Sequence, residues 1–347
     1  MAAGSGRRAL SRPGLETADL IITNGDAAGE LLRRTLPGVE ILPWRDVLHE
    51  GPVPLTATLP ELTEIRAAYL AERGWGDRPQ LKADLEARDK GLALAASFER
   101  VILWFEHDLY DQLQLLQLLD WFSTQRRRAD SLLLVQAPDF LGQQTPEGIL
   151  EFKELERPVT PEEFALASEA WRAFRSSAPE PWHGLLGRDL SALPFLYASV
   201  TRMLEELPGL DGLSGSERQI LAAIEAGAVM PPSLFVATQR EEEAPFMGDW
   251  SFWGVLDGLA LAKAPLVTGL VDAPFTPDGE GLAQPYFRSE LRLTPLGFEI
   301  LAGRDDFARH AAIHRWCGGT HLSNVNLWRW DAVTRQLIPP TPGAAMS

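Results

Sequence analysis

Ionisable and amide side chains follow three short apolar runs of the chain, at the points where buried strands would end. In chain order these groups are Asn24-Gly25-Asp26, then Trp44-Arg45-Asp46 with the His49-Glu50 pair, and finally Glu106-His107-Asp108 with the Asp111-Gln112 pair. Ligands of parallel α/β sheets bind at the carboxyl ends of the strands. We therefore predict that the three groups meet in an acidic cleft that holds a functional site.

The residue types of this cleft suit general acid–base chemistry or a hard metal ion. We expect Asp108 or Glu106 to act as the general base, and His107 or His49 would be the matching acid. Converging carboxylates also suit Mg²⁺ or Mn²⁺, which prefer oxygen ligands. The candidate catalytic residues are Asp26, Asp46, His49, Glu106, His107 and Asp108, of which Asp26, Asp46 and Asp108 are the candidate metal ligands. The candidate ligand-binding residues are Asn24, Gly25, Trp44, Arg66, Asp111, Gln112, Arg315 and His321.

Several of these residues also have a purely structural interpretation. Asp26 or Asp108 would fit the N-cap of the helix that follows it, an interaction that contributes about 1 kcal/mol. Asp111 would then favour the positive end of the second helix dipole. Trp44 and Trp104 are typical core side chains. The third group is harder to explain in this way, because a cap uses one carboxylate and burying the other charges is costly.

A second polar cluster lies near the C-terminus. His310 and His314 are four residues apart and would share one face of a helix. Together with Cys317 and His321 they have the ligand types of a zinc site. The alternative is a loop that folds back onto another surface, where a glycine pair would allow a close backbone approach. In that case Arg315 or His321 would complete the acidic cleft.

Hydrophobic periodicity predicts the elements that would position these groups. Apolar runs without alternation, separated by helical stretches, are typical of a mostly parallel sheet with both faces covered. The predicted strands are residues 19–23, 39–42, 101–105 and 132–135, and the predicted helices are 29–35, 59–72, 80–97 and 109–123. We therefore predict a Rossmann-like, doubly wound α/β fold for this part of the chain.

The rest of the chain changes character twice. A stretch with only helical patterns is followed by three helices at 216–226, 232–240 and 250–261, and then by two strands at 266–268 and 290–294. That order is typical of a winged helix. The predicted organisation is a disordered tail at 1–15, a Rossmann-like domain at 16–145, a helical connector at 146–211, a winged-helix-like domain with a C-terminal loop at 212–335, and a disordered tail at 336–347.

Charge argues against nucleic acid as a partner. The 347 residues include 32 Lys and Arg against 48 Asp and Glu, which gives a formal net charge of −16. From residue 212 onward the sequence has ten basic and fifteen acidic residues, so the winged-helix-like part is acidic too. Binding to a phosphate backbone depends mainly on Lys and Arg.

Other sequence features bear on location and reaction class. The single cysteine, Cys317, excludes an internal disulfide and is typical of a cytoplasmic protein. No apolar run is long enough to predict a transmembrane helix or a secretory signal. The sequence contains no Walker-type phosphate loop, no Gly-x-Gly-x-x-Gly fingerprint and no Gly-x-Ser-x-Gly elbow. Hydrolysis or group transfer therefore fits better than dinucleotide-dependent redox chemistry or serine hydrolysis.

Two long motifs support a resemblance to known bacterial families. Asn24-Gly25-Asp26, the stretch from Leu42 to Pro54 and the stretch from Leu103 to Gln112 resemble domain-of-unknown-function family 1835, although Ile21 stands where that family often has a histidine. The region from Leu213 to about Gly303 is similar to its usual companion, domain-of-unknown-function family 3658. The resemblance implies a division into these two parts and no established activity.

These observations leave two classes of function open. The first is a hydrolase or group transferase that acts on a small polar or nucleotide-like ligand in the acidic cleft. The second is a regulatory or protein-interaction protein that uses the winged-helix-like domain, where Trp250 and Trp253 would pack in the core or against a partner or second copy. DNA binding is disfavoured by the charge.

Overall fold

A computed structural model describes residues 19–125, 128, 130–277 and 285–341 of the chain. The predicted N-terminal tail at 1–15 lies outside the described residues, as do residues 342–347. The described part is an α/β structure built on a five-stranded, mostly parallel sheet. None of its helices combines the length and apolar composition that crossing a membrane requires.

The main sheet contains the four predicted strands and a fifth that was not predicted. Its strands are β1 (Leu20–Asn24), β2 (Glu40–Trp44), β3 (Val101–Phe105), β4 (Leu132–Gln136) and β5 (Arg157–Pro158), in the spatial order β2-β1-β3-β4-β5. The first four run parallel, and β3 is buried along its whole length, as expected of a strand covered on both faces. The fifth runs antiparallel to β4. Its two residues, one of them a proline, carry no strand pattern, so the prediction of a wholly helical connector is wrong at this point.

The helices between these strands lie close to the predicted positions. They are α1 (Asp26–Thr35), α2 (Leu59–Glu72), α3 (Arg78–Ala93) and α4 (Leu109–Ser123). A capping box formed by Thr58 and Glu61 begins α2. The N-cap of α4 is Asp108, whose side chain accepts a hydrogen bond from the N–H of Asp111. The same cap therefore fixes where the chain turns after β3.

The strand order reverses its direction between β1 and β3. From β1 the chain passes to β2 on one side, and after α2 and α3 it returns to β3 on the other side of β1. Where connections leave two neighbouring strands in opposite directions, the loops at their carboxyl ends diverge and leave a ligand site. The predicted group Asn24-Gly25-Asp26 follows β1 and the predicted group that begins at Glu106 follows β3, so both lie at this point.

Helices from the connector cover the sheet. They are α5 (Pro146–Lys153), α6 (Pro161–Phe174), α7 (Glu180–Gly184) and α8 (Leu196–Glu205). α4, α6 and α8 share one large apolar core with one face of the sheet, while α1 and α5 form a smaller core on the opposite face. The carboxyl ends of the strands therefore lie between two packed layers of helices.

The C-terminal region has its own apolar core and small antiparallel sheets. Its helices are α9 (Gly215–Glu225), α10 (Pro231–Glu241), α11 (Asp249–Ala260) and α12 (Pro295–Leu301), and its strand pairs are β6 (Val267–Thr268) with β7 (Arg292–Leu293), β8 (His314–Cys317) with β9 (Thr320–Ser323), and β10 (Arg329–Asp331) with β11 (Gln336–Ile338). The prediction of a loop around residues 315–321 is wrong, because this segment is a hairpin. The predicted C-terminal tail also starts too early, because its first three residues form β11.

Candidate active site

Three acidic side chains meet at the carboxyl end of β3. Glu106 and Asp108 follow this strand, and Asp111 lies in the first turn of α4. One carboxylate oxygen of each lies within 4.8 Å of the others. The three residues are 5%, 4% and 0% exposed, respectively. In the part of the chain that the structure describes, this acidic triad is the one group of three or more potential metal ligands that converges in this way.

Hydrogen bonds connect the triad to the end of β1 and to the loop after β4. Oδ2 of Asp111 accepts from Nδ2 of Asn24 at 2.6 Å and from the N–H of Glu106 at 3.1 Å. Oε1 of Glu106 accepts from the N–H of Leu141 at 2.7 Å. Nε2 of Gln112 donates to the backbone oxygen of Glu106 at 2.7 Å. The triad is therefore held by neutral donors from three strand ends.

No positive charge balances these carboxylates within the described residues. The triad forms no ion pair with any described lysine or arginine. Burial, and next the charge of Glu106, raises the pKa of Asp108 to about 7. Burial also raises the pKa of Asp111, which its two acidic neighbours raise further, and burial raises the pKa of Glu106. At neutral pH the triad therefore favours a bound proton or a bound cation.

Some of the buried polar atoms without a hydrogen-bond partner lie at the same edge. In the described structure Oε1 of the fully buried Gln112 has no partner, and Oδ1 of Asp111 receives no N–H or hydroxyl donor, although the carboxyl groups of Asp111 and Glu106 share a hydrogen bond. Both amide atoms of Gln136, at the end of β4, also lack one. Buried polar groups are normally hydrogen-bonded, so this edge has unused capacity to bind a ligand.

His107 lies beside the triad and faces a different environment. Its half-buried ring packs against Phe140 and Phe195, with centroid distances of 5.0 and 5.9 Å. Nδ1 has no hydrogen-bond partner among the described residues. Burial lowers the pKa of this imidazole, which the charge of Asp139 partly offsets. A neutral imidazole at this place can accept a proton near pH 7.

Asp46 is not part of the triad, contrary to the predicted set of metal ligands. Its buried carboxylate lies 2.9 Å from Nε of Arg66 and 3.5 Å from Nη1 of Arg88. Arg66 also donates to the backbone oxygens of Val47 and Glu50 at 3.0 and 2.7 Å. Asp46 and Arg66 thus form a buried ion pair that holds the loop after β2, and neither is presented to a ligand.

Trp44 belongs to the same buried arrangement and has no exposed face for stacking. Its indole N–H donates to Gln117 at 2.9 Å, and the guanidinium of Arg88 lies 4.1 Å from the ring centroid. Trp44 and Trp104 are both fully buried. The structural interpretation therefore describes both tryptophans.

Asp26 is separated from the triad by its position on the surface. It is the first residue of α1, and Gly25 rather than Asp26 occupies the N-cap position. Its exposed carboxylate pairs with the guanidinium of Arg45, which extends from the end of β2. Asp26 and Asp46, predicted to bind a metal with Asp108, thus each have an arginine partner instead.

His49 is buried in an aromatic environment. Its ring lies 5.1 Å from that of Phe246 and 6.0 Å from that of Tyr110. Neither ring nitrogen has a hydrogen-bond partner among the described residues, and burial lowers the pKa of the imidazole. Nothing in this arrangement brings His49 to the triad as an acid.

The C-terminal hairpin does not reach the cleft. Arg315 forms two hydrogen bonds to Glu217, at 2.9 and 3.1 Å, and the ring of His321 packs against His314 and Trp316 at 4.7 Å. The expected close backbone approach does occur, at the end of α6. There a Cβ on Gly319 would lie 1.9 Å from the backbone oxygen of Arg175.

The histidines near the C-terminus do not form the predicted zinc site within the described residues. His310 follows a short 3-10 turn and contacts Asp305, whereas His314 lies in β8. Cys317 is buried, which raises the pKa of its thiol to about 12 and disfavours the thiolate that zinc requires.

Sequence reasoning missed the contributions of Leu141, Arg88 and Gln136. The amide of Leu141 follows β4 and has no side-chain signal, although the rule that ligands bind at strand ends applies to β4 as well. Arg88 lies in the middle of α3, where nothing in the spacing relates it to Asp46.

A scan against protein-family models finds no match for this chain, and no curated protein matches it.

Proposed function

We propose that the protein is a hydrolase or group transferase that binds Mg²⁺ or Mn²⁺ at the acidic triad and acts on a small polar ligand at the carboxyl ends of β1 and β3. The observation that carries the proposal is the triad itself, in which three buried carboxyl groups converge without a paired cation in the described structure.

The alternative to a metal is a carboxyl group that keeps its proton. Burying several like charges together is unfavourable, so at least one carboxyl group of the metal-free triad is protonated at neutral pH. A divalent cation removes that cost, because it replaces the proton and takes the oxygen ligands that Mg²⁺ and Mn²⁺ prefer. The ion would also replace the hydrogen bond that the carboxyl groups of Asp111 and Glu106 share.

The residues around the triad have distinct roles in this proposal. Glu106, Asp108 and Asp111 would hold the ion, which would polarise a ligand oxygen or lower the pKa of a bound water. Asn24 orients Asp111 through its 2.6 Å hydrogen bond. His107 is the nearest imidazole in sequence and is partly accessible, so it would move the proton.

The finer fold assignments belong to the same proposal. We infer a Rossmann-like core from the strand order, and a winged-helix-like unit from α9–α11 and the β6–β7 pair. The resemblance to families 1835 and 3658 stays a prediction. For DNA recognition the second helix of that unit, α10, is poorly suited, because it carries one arginine and is followed by further glutamates.

Calorimetric titration of Mn²⁺ into the full-length protein tests the proposal. We expect one high-affinity ion per chain in the wild type and none in Asp111→Asn, which keeps the size of the side chain but loses the charge. Asp120→Asn, near the other end of α4, is the matched control and should bind Mn²⁺ like the wild type. The same isotherm for wild type and Asp111→Asn, or no binding to either, would contradict the proposal.

A further inference from the structure

We propose that the loop between α10 and α11, residues 242–248, is a lid over the carboxyl ends of β2 and β3, and that protonation of His49 opens it. This lid belongs to the C-terminal region of the chain, whereas His49 lies in the loop after β2. Access to the edge of the sheet that bears the acidic triad would therefore depend on pH. The inference goes beyond the proposed function and does not require a metal at the triad.

One aromatic side chain anchors the lid. The ring of Phe246 is 6% exposed and meets the ring of His49 edge to face, at a centroid distance of 5.1 Å. The guanidinium of Arg202, which comes from α8, lies 4.7 Å from the centroid of the same Phe246 ring. Phe246 therefore joins the C-terminal region both to the loop after β2 and to the helical connector.

An ion pair fixes the lid at a second point. Nε and Nη2 of Arg202 donate to the two carboxylate oxygens of Glu242 at 2.9 and 2.7 Å. Nη1 of Arg202 donates to Glu206, at the end of α8, at 2.7 Å. These bonds hold the guanidinium against the ring of Phe246, so the lid is closed in this structure.

The contacts of the lid place it near the acidic triad. The ring of His49 also lies 6.0 Å from that of Tyr110, which stands in the first turn of α4 between two residues of the triad. Burial lowers the pKa of His107, which follows β3, and the charges of Asp139 and of Glu243, in the lid, partly offset this effect. The triad itself is at most 5% exposed, so access to it requires a neighbouring segment to move.

The buried imidazole of His49 would make the lid sensitive to protons. His49 is 6% exposed, and neither of its ring nitrogens has a hydrogen-bond partner among the described residues. Burial of a polar group without a partner is unfavourable, and burial of an unpaired charge is much more so. The closed lid therefore requires a neutral imidazole, and protonation of His49 favours an open state in which water reaches the ring.

Charged groups around His49 do not compensate for its burial. Burial has the largest effect on the pKa of His49 and lowers it, whereas Glu50 and Glu206 raise this pKa and Arg66 and Arg202 lower it. Both carboxylates already accept hydrogen bonds from other side chains. The other groups on the elements packed against His49 are Tyr110 of α4 and, in the lid, Glu242, which is paired with Arg202.

The direction of the pH effect follows from the two states of the lid. In the open state the pKa of His49 returns to its ordinary value of about 6.5, whereas in the closed state it is lower. Below about pH 6.5 the open state thus binds a proton that the closed state excludes. The ratio of open to closed protein should rise by up to about tenfold per pH unit in this window, so the lid opens as the pH falls.

Cleavage by chymotrypsin after Phe246 tests the inference on the full-length, metal-free protein. The protease takes an aromatic side chain into an apolar slot, so it can cut at Phe246 only when the ring has left its position between His49 and Arg202. The rate at each pH is divided by that for a peptide of residues 241–251, which corrects for the activity of the protease. For the wild type we expect this ratio to rise about tenfold from pH 7.5 to pH 5.5.

Variants separate the proton trigger from the lid contacts. His49→Gln and His49→Phe have no imidazole, so their cleavage ratio should be the same at both pH values. Glu242→Gln weakens the second anchor, so it should be cut several-fold faster at pH 7.5 and keep the rise toward pH 5.5. His314→Gln, which replaces an exposed histidine of β8, is the matched control and should behave like the wild type.

Three results would overturn the inference. The first is a wild-type cleavage ratio that does not change with pH, and the second is an equal rise in either His49 variant. The third is a parallel rise in cleavage after Phe174, which is buried in the main core, because the whole protein would then unfold. None of these results depends on the binding of Mn²⁺, so the lid and the proposed metal site fail separately.

Discussion

Two buried acidic sites of this protein, Asp46 with its arginines and the acidic triad, differ in their counter-charges. Asp46, in the loop after β2, lies between Arg66 and Arg88, and Arg66 bonds two backbone oxygens of the same loop. The acidic triad, at the end of β3, receives amide hydrogen bonds and no ion pair in the described structure. Both clusters are almost fully buried.

The difference shows that burial of a carboxylate does not by itself mark a functional site. At Asp46 the arginines neutralise the charge, and the paired groups stabilise a loop. At the triad nothing in the described chain neutralises it, so the carboxyl pKa values rise and a cation would be bound favourably. We therefore expect substitutions in the first cluster to reduce stability, and those in the second to change metal binding and pH dependence.

Removal of Arg66 should have the largest effect. In Arg66→Met, Asp46 loses its closest cation and two backbone oxygens lose their donors, so the free energy of unfolding should fall by about 3–5 kcal/mol. Urea denaturation followed by circular dichroism measures the change. Arg78→Met, which removes an exposed ion pair of α3, should change stability by less than about 0.5 kcal/mol. Equal effects of the two substitutions would mean that the buried cluster is not structural.

Substitution of Gly51 tests the rigidity of the loop after β2. Its φ is +76°, and a Cβ there would lie 2.5 Å from the ring of Tyr69 and 2.6 Å from Nη1 of Arg66. Gly51→Ala should therefore cost about 2–3 kcal/mol of stability. Gly184→Ala is the control, because Gly184 has φ −59° and open space around it. A thermal unfolding midpoint for Gly51→Ala that matches the control would show that the loop adapts without strain.

The acidic triad, unlike the paired Asp46, should lower the stability of the metal-free protein as the pH rises. Because the pKa of Asp108 is raised from 3.8 to about 7, the folded protein binds more protons than the unfolded chain between these values. Its stability without metal should therefore fall as the pH rises through this window, by up to about 1.4 kcal/mol per pH unit for one proton. Asp108→Asn should reduce this slope, and the raised pKa values of Asp111 and Glu106 account for the part that stays.

The difference in unfolding free energy between wild type and Asp108→Asn, measured at pH 4.5 to 7.5, isolates this effect. Groups outside the triad, such as His49 with its lowered pKa, cancel in that difference, whereas Asp111 contributes to it because the charge of Asp108 raises its pKa. Mn²⁺ should stabilise the wild type increasingly as the pH rises, because it competes with protons. A difference that does not change with pH would show that the carboxyl group of Asp108 titrates normally.

Loss of the exposed ion pair between Asp26 and Arg45 should have the smallest effect on stability. Arg45→Gln removes an ion pair between two exposed side chains, so the unfolding free energy should change by less than about 0.5 kcal/mol. Chemical denaturation in low and high salt measures it. A loss above about 1 kcal/mol would exceed what an exposed ion pair contributes and would place Arg45 with the structural arginines.

Local sequence patterns predicted most of the regular structure because they record burial directly. The four parallel strands are continuous apolar runs, and α2 and α4 match the predicted bounds, since a capping box begins the first and Asp108 caps the second. The short strands β5 and β8–β11 escaped prediction, because two to four residues at an edge carry no distinct periodicity. Their pairing depends on distant segments.

The sequence by itself determined which residues stand at the strand ends, because the apolar runs stop at Asn24, Trp44 and Phe105. It therefore located Glu106, Asp108 and Asp111 at one edge. Only the tertiary structure decided which carboxylates are paired. Arg88 reaches Asp46 across 42 positions of the chain, and Arg45 reaches Asp26 across 19. Charge pairing acts through space at a few ångströms, so no local pattern records it.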